Sequence, residues 1–221
     1  MRKGDSDIHV GSIDETGYSL SKGGFFDDDI LCAKCDNELG RLDTYAVEFC
    51  RQFEAKRQMV NDHMFLVDGV DTDKLVRFAV SVCWRYSIST RPEAEKIKLG
   101  QFEGEFQEIL FGGRSVISEP ALIIWANRSK HNMRKIAFPP TMHRHLGLRH
   151  CSMILGGLSF ILKIDRRPLP AKAQMLCING KDRIVSGYKT FDRSFEYHEM
   201  IKIANNMSKP KARHPRSRRE T

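Results

Sequence analysis

Between Pro120 and Ile164 the sequence has no aspartate and no glutamate, while the same stretch holds 7 lysines and arginines. A surface tuned only for solubility normally mixes both signs, so this absence is unusual for an ordinary solvated face. It implies a surface that meets a polyanion. The rest of the charge agrees: residues 1–119 carry 15 basic and 22 acidic side chains, and residues 120–221 carry 21 and 6, so the net +8 arises in the second half. Other absences bound the function class. No apolar run reaches about 18 residues, so no membrane is expected as a partner. The opening MRKGDSDIHV lacks the apolar core of a secretion signal. Six cysteines scattered at 32, 35, 50, 83, 151 and 177 do not make the dense framework of a secreted domain. They read as reduced thiols in a cytoplasmic protein. There is no internal repeat, and nothing marks an oligomeric state. With 221 residues and 41% hydrophobic content, the chain can bury a core without a metal.

What is present predicts an α+β fold. Residues 1–25 read as short strands or loop, with alternation at Ile8-His9-Val10. Leu39, Leu42, Ala46, Phe49 and Phe53 recur at helical spacing, and Asp36 or Asn37 is the expected N-cap. A second helix carries Leu75, Phe78, Ala79, Val82 and Trp84 behind the cap Asp71-Thr72-Asp73, and ends before Pro92. A third holds Phe102, Phe106, Ile109 and Leu110, and Gly112-Gly113 stops it. Strand signals then take over at Ala121–Trp125, at 151–164 with a turn or bulge at Gly156-Gly157, and at Met175–Ile178 before Asn179-Gly180. A closing helix over Phe195–Met207 takes Ser194 as its cap. The expected order is a CxxC-plus-helix element over 1–60, a helical segment over 61–113, an antiparallel β-meander with its closing helix over 114–208, and a disordered basic tail over 209–221.

Candidate chemistry falls in two places. In "DDDILCAKCDNELG", Cys32 and Cys35 have the spacing that puts two thiolates on one zinc ion, but a structural site wants four ligands. The missing ligands could come from Cys50, His63 or His9, or from a second chain, although Cys50 reads better as core. A redox role fits less well without a thioredoxin-like βαβ pattern. Asp27, Asp28 and Asp29 suit a divalent cation in type, yet such runs are more often solvated loop. The second place is the acid-free stretch. Arg128, Lys130, Arg134 and Lys135 flank His131 and follow Trp125, which itself ends an apolar run and reads as core. "MHRHLGLRH" places His143, His145 and His150 among Arg144 and Arg149. On a strand, 143 and 145 share a face, as metal-ligating histidines can. The neighbouring arginines oppose a cation, so phosphate contact, by DNA or RNA, is the better functional reading, beside a plain exposed basic loop. The tail adds charge without sequence specificity.

One further pattern carries a resemblance. Leu31, Cys32, Cys35 and Asp36 open a helix, and Ser81, Trp84 and Arg85 follow in the next one. These motifs, over roughly residues 17–113, resemble a group of bacterial and phage proteins related to HNH (His-Me finger) endonucleases. The resemblance implies a partial treble-clef-like element with structural zinc at Cys32 and Cys35. It also implies a nuclease ancestry in which a histidine acts as general base beside Mg or Mn. The chain lacks the group's first CxxC and its Ser-His-Ile-Ile-Pro segment. The expectation is therefore a nucleic-acid-associated protein, degenerate in catalysis, with enzyme activity left open. The alternatives are an active metal-dependent nuclease using His9, His63 or His131, and an accessory protein acting on a protein partner. Trp84 and Arg85 are expected to serve the core, Trp84 buried and Arg85 paired with an acid.

Overall fold

The protein's structure, a computed structural model, describes residues 8–11, 18–21, 30–91, 94–117, 119–145 and 147–206. The Asp27–Asp29 run and the basic tail lie outside the described residues. The chain forms two compact units, one of residues 28–190 and one of residues 1–27 with 191–221.

The larger unit is α+β. Helix α1 (Ala33–Lys56) buries Leu39, Ala46, Phe49, Cys50 and Phe53, the expected stripe. Its N-cap is Cys32 rather than Asp36 or Asn37: the Cys32 sulfur accepts the Cys35 N–H at 3.4 Å. Asp36 sits instead within the first turn, where its charge complements the helix dipole. Helix α2 (Thr72–Ile88) starts where expected, with the Asp71 carboxylate accepting the Lys74 N–H at 3.1 Å. It buries Leu75, Val76, Phe78, Ala79, Val80, Ser81, Cys83 and Trp84, on more than one face, as befits a central helix. Arg85 leaves that core to grip Asp43 of α1 in a two-pronged pair. Helix α3 (Phe102–Phe111) ends with the Ile109 carbonyl accepting from Arg77 of α2, a cation at a helix C-terminus.

These helices pack on a seven-stranded mixed sheet. Its strands are β3 (Gln58–Asn61), β4 (Met64–Asp68), β5 (Leu122–Arg128), β6 (Ala137–His145), β7 (Leu148–Leu155), β8 (Leu158–Lys163) and β9 (Arg183–Thr190). They lie in the order β3-β4-β9-β5-β8-β7-β6. Strands β6, β7 and β8 form the expected antiparallel meander, and β8 pairs with β5. The β7–β8 turn is Gly156-Gly157, both at positive φ (57° and 89°), which a two-residue primed turn demands. Strand β9 pairs with β5 in parallel, the one parallel register among the described strands. Period two puts Phe65, Val67, Ile124, Ala126, Met153, Phe160 and Leu162 on the helix-covered face, in one core with Leu39, Phe78 and Phe106.

Met175–Ile178 is not the strand its sequence predicts. Short helix α4 (Ala171–Gln174) precedes it, and only Cys177 bridges to Ile123. The Asn179 side chain does the work a strand would do: it accepts from Leu122 N at 2.9 Å and donates to Val116 O at 2.7 Å and Pro120 O at 2.9 Å.

In the smaller unit, strands β1 (Ile8–Gly11) and β2 (Tyr18–Ser21) pair antiparallel. Helix α5 (Phe195–Asn206) is capped by Ser194, whose hydroxyl accepts the Tyr197 N–H at 3.1 Å. Among the described residues no helix is long and apolar enough to cross a membrane.

Candidate nucleic-acid interface

Tyr188 is the centre of a cationic stack. It lies near the end of β9, with Ala126 of β5 as its partner in register. Arg128, two residues further along β5, carries its guanidinium carbon 3.9 Å from the Tyr188 ring centre. Arg57, the C-cap of α1, places its own 5.4 Å from the same ring. The ring's edge meets Phe65 at 5.4 Å between centres, and Phe65 meets Phe53 at 5.0 Å, so the stack is rooted in the core. Arg128 also donates to the Asp62 carbonyl at 2.6 Å, tying β5 to the β3–β4 turn. A guanidinium over an aromatic face is attracted by the ring quadrupole and stays exposed on its outer side.

The surroundings are mostly cationic. Lys130 and His131 are exposed in the loop after β5. Arg134 belongs to a 3-10 turn over Met133–Lys135 and lies 4.0 Å from Glu54. Glu54 also pairs with Arg57 at 2.7 Å. Nothing beyond the backbone of Lys135 is described. His63 is exposed in the β3–β4 turn, held by two N–H donations to Asn61 Oδ1, from His63 and Met64, each at 2.9 Å. The structure thus brings Arg128, Lys130, His131 and Arg134 to one end of the sheet, together with His63. Tyr188 and Arg57 have no motif of their own in the sequence. Only the parallel pairing of β9 with β5 reveals them.

Arg144 and Arg149 are not part of this end. Strand β6 runs nine residues from Ala137 to His145, roughly 30 Å at a strand's rise per residue, and they stand at its far end. There they face each other across β6 and β7. Arg149 donates its N–H to Asp165 at 3.1 Å and its guanidinium to the Lys98 carbonyl. Asp165 is also held by Arg167 at 2.7 Å. The Arg167 guanidinium first, and the Arg167 and Arg149 N–H groups with it, keep the Asp165 carboxyl well below the usual carboxylate range. An acid from just beyond the acid-free stretch therefore balances this second cluster.

Cys32 is exposed and Cys35 half-buried. The Cys35 backbone N–H lowers the Cys32 thiol pKa, and the hydrogen bond between the two side chains raises that of Cys35. Among the described residues no three His, Cys, Asp or Glu side chains come together to hold an ion, so the pair has no described further ligand. Cys50 lies on the same helix 15 residues after Cys35, roughly 22 Å away along the axis. It is buried, and burial pushes its thiol up to about 12. His9 lies in β1 of the smaller unit, opposite Leu20. Comparison of the chain with protein-family models, with curated proteins and with solved structures finds no match.

Proposed function

We propose that the chain binds DNA or RNA through the sheet end built by Arg57, Arg128, Lys130 and Arg134. The observation that carries this reading is the double guanidinium stack on Tyr188 at the edge of a stretch without acids. Cations set in a fixed geometry can neutralise successive phosphates. The outer face of a stacked guanidinium also offers an unpaired base a plane to lie on. Of the acids at this end, Glu54 pairs with Arg57 and approaches Arg134, and Asp62 lies exposed in the β3–β4 turn beside Arg128.

The test is fluorescence anisotropy with a labelled single-stranded oligonucleotide and its duplex, titrated between about 20 and 200 mM salt. Binding should fall linearly on a logarithmic salt scale, with a slope near 0.7–0.9 per neutralised phosphate. No binding at the lowest salt would sink the reading and leave the cationic end to an acidic protein partner. The same mixtures with Mg or Mn should show no cleavage. Cleavage that stopped in His63→Ala or His131→Ala would make the surface a nuclease.

A further inference from the structure

The zinc reading leaves the CxxC pair short of donors. A structural zinc ion takes four ligands, and among the described residues no third His, Cys, Asp or Glu side chain joins Cys32 and Cys35. Two neighbouring thiols have another chemistry open to them, which is to bond to each other.

The geometry suits that bond. Cys32 is the N-cap of α1 and accepts the Cys35 N–H on its sulfur at 3.4 Å. The two side chains are also hydrogen-bonded to each other. Residues three apart at a helix start have Cα atoms about 5 Å apart, inside the window of roughly 4.4–6.8 Å that a disulfide spans. The sulfurs that would bond are already in contact, and the helix need not move. The pair is asymmetric as well: Cys32 is exposed and Cys35 half-buried. The N–H groups at the start of a 24-residue helix favour a thiolate at the cap. Cys32 is the only exposed cysteine of the six. Cys83 and Cys151 also meet each other, but both are buried in the core.

We infer that Cys32 and Cys35 are a redox-active dithiol that exchanges with small-molecule disulfides of the glutathione class. The Cys32 thiolate attacks one sulfur of the external disulfide. That S–S bond breaks, one external thiolate leaves and takes a proton from water, and a mixed disulfide remains on Cys32. Cys35 then gives its proton to water and its sulfur attacks that of Cys32. The mixed disulfide breaks, the second external thiolate leaves and is protonated, and the Cys32–Cys35 bond closes. The two cysteines lose two electrons, the external disulfide gains them, and excess external thiol drives the reverse. Access favours a small disulfide. The exposed large apolar side chains Met59, Val60, Ile117, Met175 and Ile201 all lie outside residues 30–38, so this segment offers a protein substrate no exposed apolar anchor. The exchange is independent of the proposed nucleic-acid surface.

The test uses the full chain, treated with a chelator, reduced, desalted and mixed with oxidised glutathione in the absence of oxygen. Samples are quenched in acid, alkylated and read by peptide mass spectrometry. The expected product is an internal Cys32–Cys35 disulfide that excess reduced glutathione reopens, with Cys50, Cys83 and Cys151 unmodified. Cys35→Ser should stop at a glutathione adduct on Cys32. Cys32→Ser keeps an N-cap oxygen, and its Cys35 should react about 10-fold or more slowly than Cys32 does in Cys35→Ser. A parent that stays reduced, or that collects glutathione adducts without closing the internal bond, overturns the inference. So do equal rates at the two cysteines. Cobalt binding with a thiolate spectrum that shields both thiols from glutathione overturns it too, and returns the pair to a metal site.

Discussion

The guanidinium carbon of Arg128 lies 3.9 Å from the centre of the Tyr188 ring, and its Nη2 donates to the Asp62 carbonyl. One side chain thus joins β5, β9 and the β3–β4 turn while keeping its charge exposed. Two roles are combined here, and substitution separates them. Arg128→Ala should weaken oligonucleotide binding almost equally for all sequences and reduce the salt slope by about 1. Arg128→Lys keeps the charge but not the planar stack. It should restore the slope while leaving single-strand affinity below the parent. Anisotropy titrations at several salt concentrations read both quantities. A slope unchanged in Arg128→Ala would remove Arg128 from the interface.

Arg85 and Asp43 hold α2 to α1 through two parallel hydrogen bonds of 2.9 and 2.7 Å. Their side chains are 23% and 36% exposed, so solvent screens the pair only in part. The fork geometry makes it stronger than a surface ion pair, whose worth is about 0–1 kcal/mol. Asp43→Ala and Asp43→Asn should each lower stability by about 1–2 kcal/mol. The loss in the Asp43→Ala, Arg85→Ala double variant should be well short of the sum of the two single losses. Urea unfolding midpoints measure all three terms. Strict additivity would mean that the pair contributes nothing beyond its separate side chains.

Gly187 shows a different constraint, one of space. A Cβ there would lie 2.8 Å from the His63 carbonyl oxygen and 3.0 Å from Cζ3 of Trp125. The first is backbone and cannot swing aside. Gly187→Ala should therefore destabilise by about 1–3 kcal/mol through overpacking, a fall in Tm of about 2–4 °C per kcal/mol for a domain of this size. Trp125 emission should shift as the indole is displaced. An unchanged Tm would show that the β3–β4 turn yields freely.

Most helices were legible because their apolar spacing coincides with what is buried: Leu39, Ala46, Phe49 and Phe53 on α1, Phe78 and Ala79 on α2. Asp71 and Ser194 announced their helices through hydrogen bonds that local chemistry makes. The Cys32 cap was hidden because a sulfur is a weak acceptor that ordinary cap preferences pass over. The edge strands were hidden for other reasons. All four residues of β3 are exposed, so it has no buried face to give it a period. Strand β6 is an edge strand and carries Pro139 and Pro140 where its register with β7 breaks between Phe138 and Thr141, so neither proline is needed in the ladder. The pairing of β9 with β5 joins residues about 60 positions apart, and no local signal records it. The basic residues of the candidate interface were therefore readable one by one, but not their division between the two ends of β6.

The cysteines should differ sharply in reactivity, because nucleophilicity needs an accessible thiolate. Cys32 is exposed and its pKa is lowered by the Cys35 N–H. Cys50 is buried with its thiol pushed up to about 12, and burial raises Cys83 as well. Brief iodoacetamide treatment at neutral pH, read by peptide mass spectrometry, should label Cys32 first. Cys50, Cys83 and Cys151 should react only after denaturation. Early labelling of Cys50 would contradict its place in the core.

The Asp165 carboxyl gives the pH dependence a definite sign. Its folded pKa is depressed, chiefly by the Arg167 guanidinium and then by the Arg167 and Arg149 N–H groups. A depressed carboxyl contributes stability that is fully present above the unfolded pKa of about 3.9 and is lost as pH falls towards the folded value. The contribution should thus be constant through neutral pH and shrink below about pH 4. Asp165→Asn removes the titration and keeps most of the shape. The Tm difference between parent and variant should be level from pH 8 down to about pH 5, then narrow steadily in acid. A difference that stayed level to pH 3 would mean that Asp165 stabilises the loop by packing and not by its charge.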